Sequence, residues 1–367
     1  MADVSDFLII GGGVIGMLTA LQLGDAGHGV TLFERGECGR EASWAGGGIV
    51  SPLYPWRYSA PISQLSRWSE GVYPELALRL LEETGIDPEY RQRGLLYLRV
   101  EDAPQALAWA RDVGKPLERV DAAFLYAKEP NVAPGCDGAL WMPTLGSIRN
   151  PRLTRALRAR LQAMPQVRLE EGVAINALKR SGNDIAALET EAGNRSVGAG
   201  QQVIVCGGAW AATLLDSVQV TLPVRPVKGQ MILFKTEPGV VNRVVLMDGR
   251  YVIPRADGRV LAGSTLEETG FDRSTSEEAR ESLWESAKRI VPALAECPVE
   301  HHWAGLRPGS PAGIPFIGAV PGVGNLYVNA GHYRNGLVLA PASTRLLVDG
   351  LLGRTPIVDP TAYRLPG

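Results

Sequence analysis

The chain lacks most of what marks a secreted, metal-binding or nucleic-acid-binding protein. Its 367 residues include four cysteines, Cys38, Cys136, Cys206 and Cys297. No two of them have the close spacing of a zinc or iron–sulfur site, so neither is expected. Four scattered thiols fit a reducing compartment. An excess of one charge is also missing: 37 Lys+Arg stand against 39 Asp+Glu, a net charge of −2. No basic run exceeds a few residues, so no nucleic acid and no anionic membrane is expected as a partner. No apolar run approaches the roughly 20 residues that a membrane helix needs. The opening MADVSDFLII has no basic segment ahead of an apolar one, so no signal peptide is expected. Internal repeats and low-complexity linkers are absent too. A soluble cytoplasmic protein is the expectation.

What remains is ordinary globular material, 45% hydrophobic and 21% charged. A length of 367 residues favours two domains. Near the start, DFLIIGGGVIGMLTALQLGDAGHGVTLFER (6–35) has a defined order. Phe7 to Ile10 is a short apolar run typical of a buried parallel strand. Gly11, Gly13 and Gly16 have G-x-G-x-x-G spacing. Val14 to Ala26 follows with helical periodicity, Gly27 and Gly29 end the helix, and Val30 to Phe33 is a second strand closed by Glu34.

Each glycine has a physical task in a dinucleotide-binding turn. Gly11 permits the tight turn, Gly13 lets a pyrophosphate reach the backbone, and Gly16 lets helix and strand pack closely. The helix N-terminus offers free N–H groups and a positive dipole end to phosphates. Glu34 is placed to accept ribose hydroxyls, and its charge opposes a 2′-phosphate. The next segment, GREASWAGGGIVSP (39–52), separates FAD from NAD. A nicotinamide-binding domain would move on to another helix and strand. Here Gly46, Gly47 and Gly48 instead form a loop that admits close approach of a large planar ligand; a plain surface loop is the other reading. Ser43 is a candidate phosphate contact.

Seven stretches carry a resemblance running nearly end to end. They are DFLIIGGGVIG (6–16), REASWAGGG (40–48), VIVCGGAWA (203–211), PVRPVKGQ (223–230), RYVIPRADGRVLAGST (250–265), WAGLRPGSPAGIPFIG (303–318) and GHYRNGLVLAPAS (331–343). With them the chain resembles the D-amino acid oxidase superfamily of FAD enzymes, and within it the glycine oxidases, including the bacterial type tied to thiamine biosynthesis. The resemblance implies an α/β fold: a Rossmann-like FAD-binding domain interleaved with a substrate domain on a large antiparallel or mixed sheet. The implied FAD domain is 1–90, 148–217 and 299–367; the implied substrate domain is 91–147 and 218–298. Patterning agrees, with strand-like alternation in 94–100, 226–235, 243–254 and 259–265, and turns at Asp248-Gly249 and Asp257-Gly258. Helical stretches are expected near 61–84, 103–113, 151–163, 208–216, 276–291 and 336–351.

The resemblance also implies FAD contacts. Near the N-terminus these are Gly11, Gly13, Val14, Ile15, Gly16, Glu34, Arg35, Ala42, Ser43, Gly46, Gly47, Gly48 and Ile49. Further on they are Val173, Gly207, His332, Tyr333, Arg334, Asn335, Gly336, Leu337 and Val338. In GHYRNG the helix after Asn335 would aim its dipole at the pyrimidine edge of the flavin, which gains negative charge on reduction. A bare helix start with an incidental arginine is the alternative. An amino acid substrate has a carboxylate, and a guanidinium fork holds one with two parallel hydrogen bonds. Arg307 and Arg334 match substrate-pocket arginines of the family, with Arg307 on the carboxylate. Tyr251 matches a tyrosine that also reaches it. An internal salt bridge for Arg307, and plain sheet packing for Tyr251, stay open at this point.

No general base is conspicuous. If the amine enters uncharged, its α-hydrogen can leave as hydride to flavin N5. His301 and His302 read as strand residues, and the role of Lys228 in the KGQ motif is open. GSPAGIPFIGA (309–319) has no cysteine, so a non-covalent flavin is expected. Gly249, Arg250 and Leu266 depart from the glycine oxidase pattern, and Arg250 either charges the pocket or faces solvent. The expected reaction is oxidation of glycine, sarcosine and small D-amino acids by dioxygen, giving the imino acid, ammonia or amine, and hydrogen peroxide. A D-amino acid dehydrogenase with another electron acceptor is the alternative. A homotetramer, and hand-over of the glycine imine to thiazole synthesis, are expectations of the resemblance alone.

Overall fold

A computed structural model describes residues 5–366. Two sheets organise the chain. The first has six strands, in the order Phe316–Ala319, Leu326–Ala330, Gln202–Val205, Phe7–Ile10, Val30–Glu34 and Val167–Glu171. All neighbours are parallel except Phe316–Ala319, which returns antiparallel along the edge. Its central strands are continuous apolar runs because both faces are covered. Helices Val14–Asp25, Ala60–Thr84, Asn150–Gln162 and Gly336–Leu351 build the core on one face. A three-stranded antiparallel sheet spanning 177–196 and the short helix Ala211–Asp216 build the core on the other. The first helix is buried around most of its circumference, which accounts for a sequence apolar well beyond one stripe.

The second sheet has eight strands, in the order Val299–Gly309, Arg225–Phe234, Val260–Gly263, Arg250–Pro254, Val244–Met247, Leu95–Leu98, Gly138–Met142 and Glu118–Asp121. It is mixed: Val244–Met247 and Leu95–Leu98 run parallel, and the other neighbours antiparallel. Asp248 and Gly249 both take positive φ, 51° and 76°, as a tight hairpin turn requires. The break expected at 299 precedes a strand that stays in this sheet: Val299–Gly309 pairs along Arg225–Phe234 before the chain returns to the six-stranded sheet at Phe316.

The glycine loop joins the two sheets. A Cβ on Gly47 would stand 3.1–3.3 Å from Ile253, Met231 and Tyr251 of the large sheet. Arg255, just beyond the strand Arg250–Pro254, donates to the Gly47 carbonyl (2.8 Å) and the Ile148 carbonyl (3.1 Å). Trp303 Nε1 donates to the Ala45 carbonyl at 3.1 Å. Between the sheets lies a cavity of about 450 Å³. It opens at the carboxyl ends of the parallel strands, past Ile10, Glu34, Cys206 and Ala330, where open α/β sheets hold ligands.

Gly16 fixes the approach of the first helix to its strand, since a Cβ there would lie 1.9 Å from the Gly11 carbonyl oxygen, a backbone atom that cannot swing away. Gly16→Ala is therefore expected to lower stability by about 1–3 kcal/mol. Urea unfolding checks this, and an unchanged midpoint would contradict the packing account.

Candidate functional site

The cavity begins at the glycine turn. Gly11 has φ +112°, and a Cβ on it would come 2.4 Å from the Cys206 carbonyl. At Gly13 an added Cβ would meet only Ser43 Oγ, at 3.2 Å, so the backbone on that side faces open space. The first amide of the helix, Val14 N–H, donates to Ser43 Oγ at 2.8 Å. Ser43 thus caps the helix from 29 residues away in sequence. Glu34 uses both carboxylate oxygens on the turn, accepting from Gly12 N–H (2.8 Å) and Gly36 N–H (2.9 Å). The carboxylate expected to meet ribose therefore also fixes the turn, with lone pairs remaining.

The loop Gly46–Gly48 is shaped by protein contacts as well as by the cavity it lines. Gly48 has φ +84°, and a Cβ there would stand 1.9 Å from the Ile148 carbonyl. Asn150 Nδ2 donates to the Ser43 carbonyl at 2.8 Å and lies 2.7 Å from where a Gly46 Cβ would be. Sequence reasoning missed Asn150 and Arg255, because neither is near the loop in sequence and a single Asn or Arg gives no pattern.

At the other end the segment 331–338 turns into the helix Gly336–Leu351. Gly331 and Tyr333 take positive φ, 85° and 48°. The helix starts with no side-chain cap and no acid in its first turn, and Gly336, Leu337 and Val338 line the cavity. Asn335 is buried, and its Nδ2 has no hydrogen-bond partner. His332 is buried beneath the turn, with Nε2 2.7 Å from Ser343 Oγ. Ser343 spends its proton on Asn329 Oδ1 at 2.6 Å, so His332 Nε2–H is the donor to Ser343. Burial pushes His332 down to about 3.

Arg307 stands opposite. Its guanidinium lies on Gly229 of the neighbouring strand, where a Cβ would be 2.0–2.3 Å from its atoms. It donates to Ser264 Oγ (2.8 Å), the Thr265 carbonyl (3.2 Å) and the Lys228 carbonyl (3.3 Å). These partners are all neutral oxygens, and among the described residues no carboxylate comes within ion-pair distance. The internal salt bridge left open above does not form. Burial lowers the Arg307 pKa from its ordinary value and Arg334 adds to the effect, against an opposing contribution from Tyr251; the group remains a cation. Tyr251 and Arg334 line the same cavity. The acids lining it are Glu34 and Glu41; Glu34 sits on the glycine turn and Glu41 on Arg35, so neither serves Arg307.

Of the residues expected to line a site, the structure brings all but Gly16 to this one cavity; Gly16 instead packs behind the turn. Trp210, Asn150 and Ser264 line it unforeseen. Arg35 lies 3.7 Å over the Trp210 ring, and Phe271 stacks on the same ring at 5.6 Å. Arg250 meets neither alternative: it points neither into the cavity nor freely into solvent. It packs half-buried toward the helix Glu277–Ile290, with a long contact to Ser282. Gly249 N–H donates to Tyr54 Oη at 3.0 Å, and Leu266 is 49% exposed. His301 and His302 are strand residues.

The neutral His332 has a consequence for stability. Unfolded histidine takes up a proton below about pH 6.5, and the folded side chain does so only near 3. The unfolded state then binds more protons across that window, so stability falls as pH drops below about 6.5, by up to about 1.4 kcal/mol per pH unit from this group. Urea titrations of wild type and His332→Gln between pH 5 and 7.5 are expected to diverge in slope. Parallel curves would contradict burial of a neutral ring.

Comparison with known proteins gives a consistent answer. The family described as "FAD dependent oxidoreductase" matches residues 6–350. A protein named glycine oxidase from Pseudomonas aeruginosa is 51% identical over 360 residues, 98% of both chains. A protein named "Bifunctional protein ThiO/ThiG" from Synechocystis is 32% identical over 96% of this chain and 52% of its own length. The crystal structure of glycine oxidase from Geobacillus kaustophilus superposes with a TM-score of 0.91 at 30% identity, covering 99% of this chain and 98% of that one. The chain belongs to the FAD dependent oxidoreductase family, and FAD is its cofactor.

Proposed function

We propose that the chain oxidises glycine, and with it sarcosine and small D-amino acids, at the cavity between its two sheets. The observation that carries this reading is Arg307: a cation, held in place by neutral oxygens and without an acid of its own. Such a group has an unmet demand for a carboxylate. The relatives named glycine oxidase support it. The fused ThiO/ThiG relatives support delivery of the glycine imine to thiazole formation for thiamine. A cytoplasmic setting and a homotetramer go with this reading, and light scattering tests the latter.

The residues fit FAD on two structural grounds. Gly13 leaves a cradle that a side chain would fill. At the far end an uncapped helix start and the unpartnered Asn335 Nδ2 line or border the same cavity. In this reading Gly11 to Ile15 and the helix behind them hold the pyrophosphate, and Glu34 accepts from ribose. Arg35 and Trp210 flank the adenine end, while Gly46 to Ile49, Val173 and Gly207 wall the middle. His332 to Val338, which line the far end of the cavity, would border the ring, and the helix dipole there would favour negative charge on it. When bound, FAD would supply the acceptor for a hydride from the substrate Cα–H bond and the route of those two electrons to dioxygen, with hydrogen peroxide as the product.

The protein's own work is placement. Arg307 takes the substrate carboxylate, Tyr251 Oη is a second donor to it, and Arg334 raises the positive potential that draws it in. Among the described residues no carboxylate lines this end of the cavity, and His332 is neutral and engaged with Ser343. No general base is therefore supplied, and the amine enters with its lone pair free. Water hydrolyses the imine to glyoxylate and ammonia. Peroxide release and oxygen uptake with glycine distinguish this from a dehydrogenase that hands electrons elsewhere.

Arg307→Met is expected to raise KM for glycine by about 100-fold or more, the counterpart of about 2–5 kcal/mol, while the protein stays yellow. A variant with wild-type KM would remove Arg307 from the substrate site.

A further inference from the structure

Among the described residues Arg307 has no acid partner, although the carboxylate of Glu267 stands near enough to act on its charge. The segment between the strand Val260–Gly263 and the helix Glu277–Ile290 carries Glu267 and Asp272. Thr265 of this segment connects Arg307 to Glu267. Its carbonyl accepts from the Arg307 guanidinium at 3.2 Å, and its hydroxyl donates to Glu267 Oε1. Glu267 is thus one residue's breadth from the guanidinium. It is an ionised group: burial acts to raise its pKa, but hydrogen bonds from Thr265, Gln230 and Lys228 outweigh burial and hold it below the ordinary value.

What occupies Glu267 is Lys228. This lysine is 4% exposed, unusual for its type. Its Nζ lies 2.6 Å from Asp272 Oδ2, 3.2 Å from Glu267 Oε2 and 3.2 Å from the Ser274 carbonyl. Its backbone pairs with Glu267 in both directions, each bond 2.9 Å. Gln230 adds a hydrogen bond to Glu267 Oε1 at 2.9 Å and accepts Ser276 N–H at 3.0 Å. Between Lys228 and Gln230 lies Gly229, the residue on which the Arg307 guanidinium rests. The K-G-Q stretch therefore seats the guanidinium on its glycine while its two flanking side chains hold the neighbouring acid.

We propose that Lys228 is a positioning residue that keeps Arg307 available to substrate, by holding Glu267 to itself, with Asp272 on the outer side of the same ammonium. Without the ammonium, Glu267 becomes an uncompensated carboxylate behind the seat intended for another carboxylate. It competes for the guanidinium if it moves, and lowers the attracting potential if it does not. The inference rests on the carboxylate-binding role proposed above for Arg307.

The test uses the FAD-loaded enzyme and two readouts. One is KM for glycine against kcat. The other is the dissociation constant of acetate, a carboxylate with no amine to oxidise, read from the perturbed flavin absorption. In Lys228→Met both KM and the acetate constant are expected to rise about tenfold, with kcat held. In the double variant Lys228→Met/Glu267→Gln both return to within about threefold of wild type, because the carboxylate beside Thr265 and the guanidinium is gone. Failure of the second substitution to rescue, or no change in Lys228→Met, overturns the proposal and reduces Lys228 to a structural ion pair. If Lys228→Met does not fold, Glu267→Gln alone decides: acetate binding unchanged or tighter supports the proposal, and weaker binding overturns it. Arg307→Met serves as the control; acetate bound there as in wild type overturns the carboxylate clamp itself, a failure distinct from loss of rescue.

Discussion

A guanidinium bound only by neutral oxygens is the constraint around which the cavity is arranged. Arg307 gives its protons to two carbonyls and a hydroxyl, which fixes its position and leaves its charge unanswered. A buried cation without an anion is costly, and the fold bears that cost where a substrate carboxylate can relieve it. The strand Val299–Gly309 places the arginine, and the diagonal register with Arg225–Phe234 puts Gly229 beneath it. The Gly46–Gly48 loop, pinned by Arg255 and Asn150, sets the wall between the sheets.

The two ends of the cavity use the same physics with different tools. At the nucleotide end a helix start and a glycine turn offer backbone N–H groups, and Glu34 and Ser43 hold that turn in shape before any ligand arrives. At the other end a second helix start, uncapped, faces the cavity beside an asparagine with an unused donor. Both are donors fixed in advance, so little reorganisation remains when charge develops.

Much of this was legible in the sequence because it is local. Helix periodicity placed Ala60–Thr84, Glu277–Ile290 and Gly336–Leu351 to within a residue or so, and the Asp-Gly pairs marked hairpin turns. Gly11 and Gly16 announced a close approach that the backbone geometry requires. What was not legible depends on partners distant in sequence. Ser43 reads as a phosphate contact but caps a helix 29 residues upstream. Glycines 46–48 read as room for a ligand, yet Ile148, Asn150 and Ile253 also demand that they be small. Lys228 has no pattern of its own; its meaning comes from two acids about 40 residues on. Arg250 invited a choice between pocket and solvent, and the helix Glu277–Ile290 supplied a third surface.

The account turns on what the Arg307 guanidinium touches when the enzyme is loaded. A crystal structure of the FAD-bound enzyme with glycolate, a substrate-like acid lacking the amine, measures this directly. The account predicts the glycolate carboxylate on the Arg307 nitrogens, against the flavin, with Glu267 still on Lys228. A carboxylate seated elsewhere, or Arg307 turned onto Glu267, would contradict it.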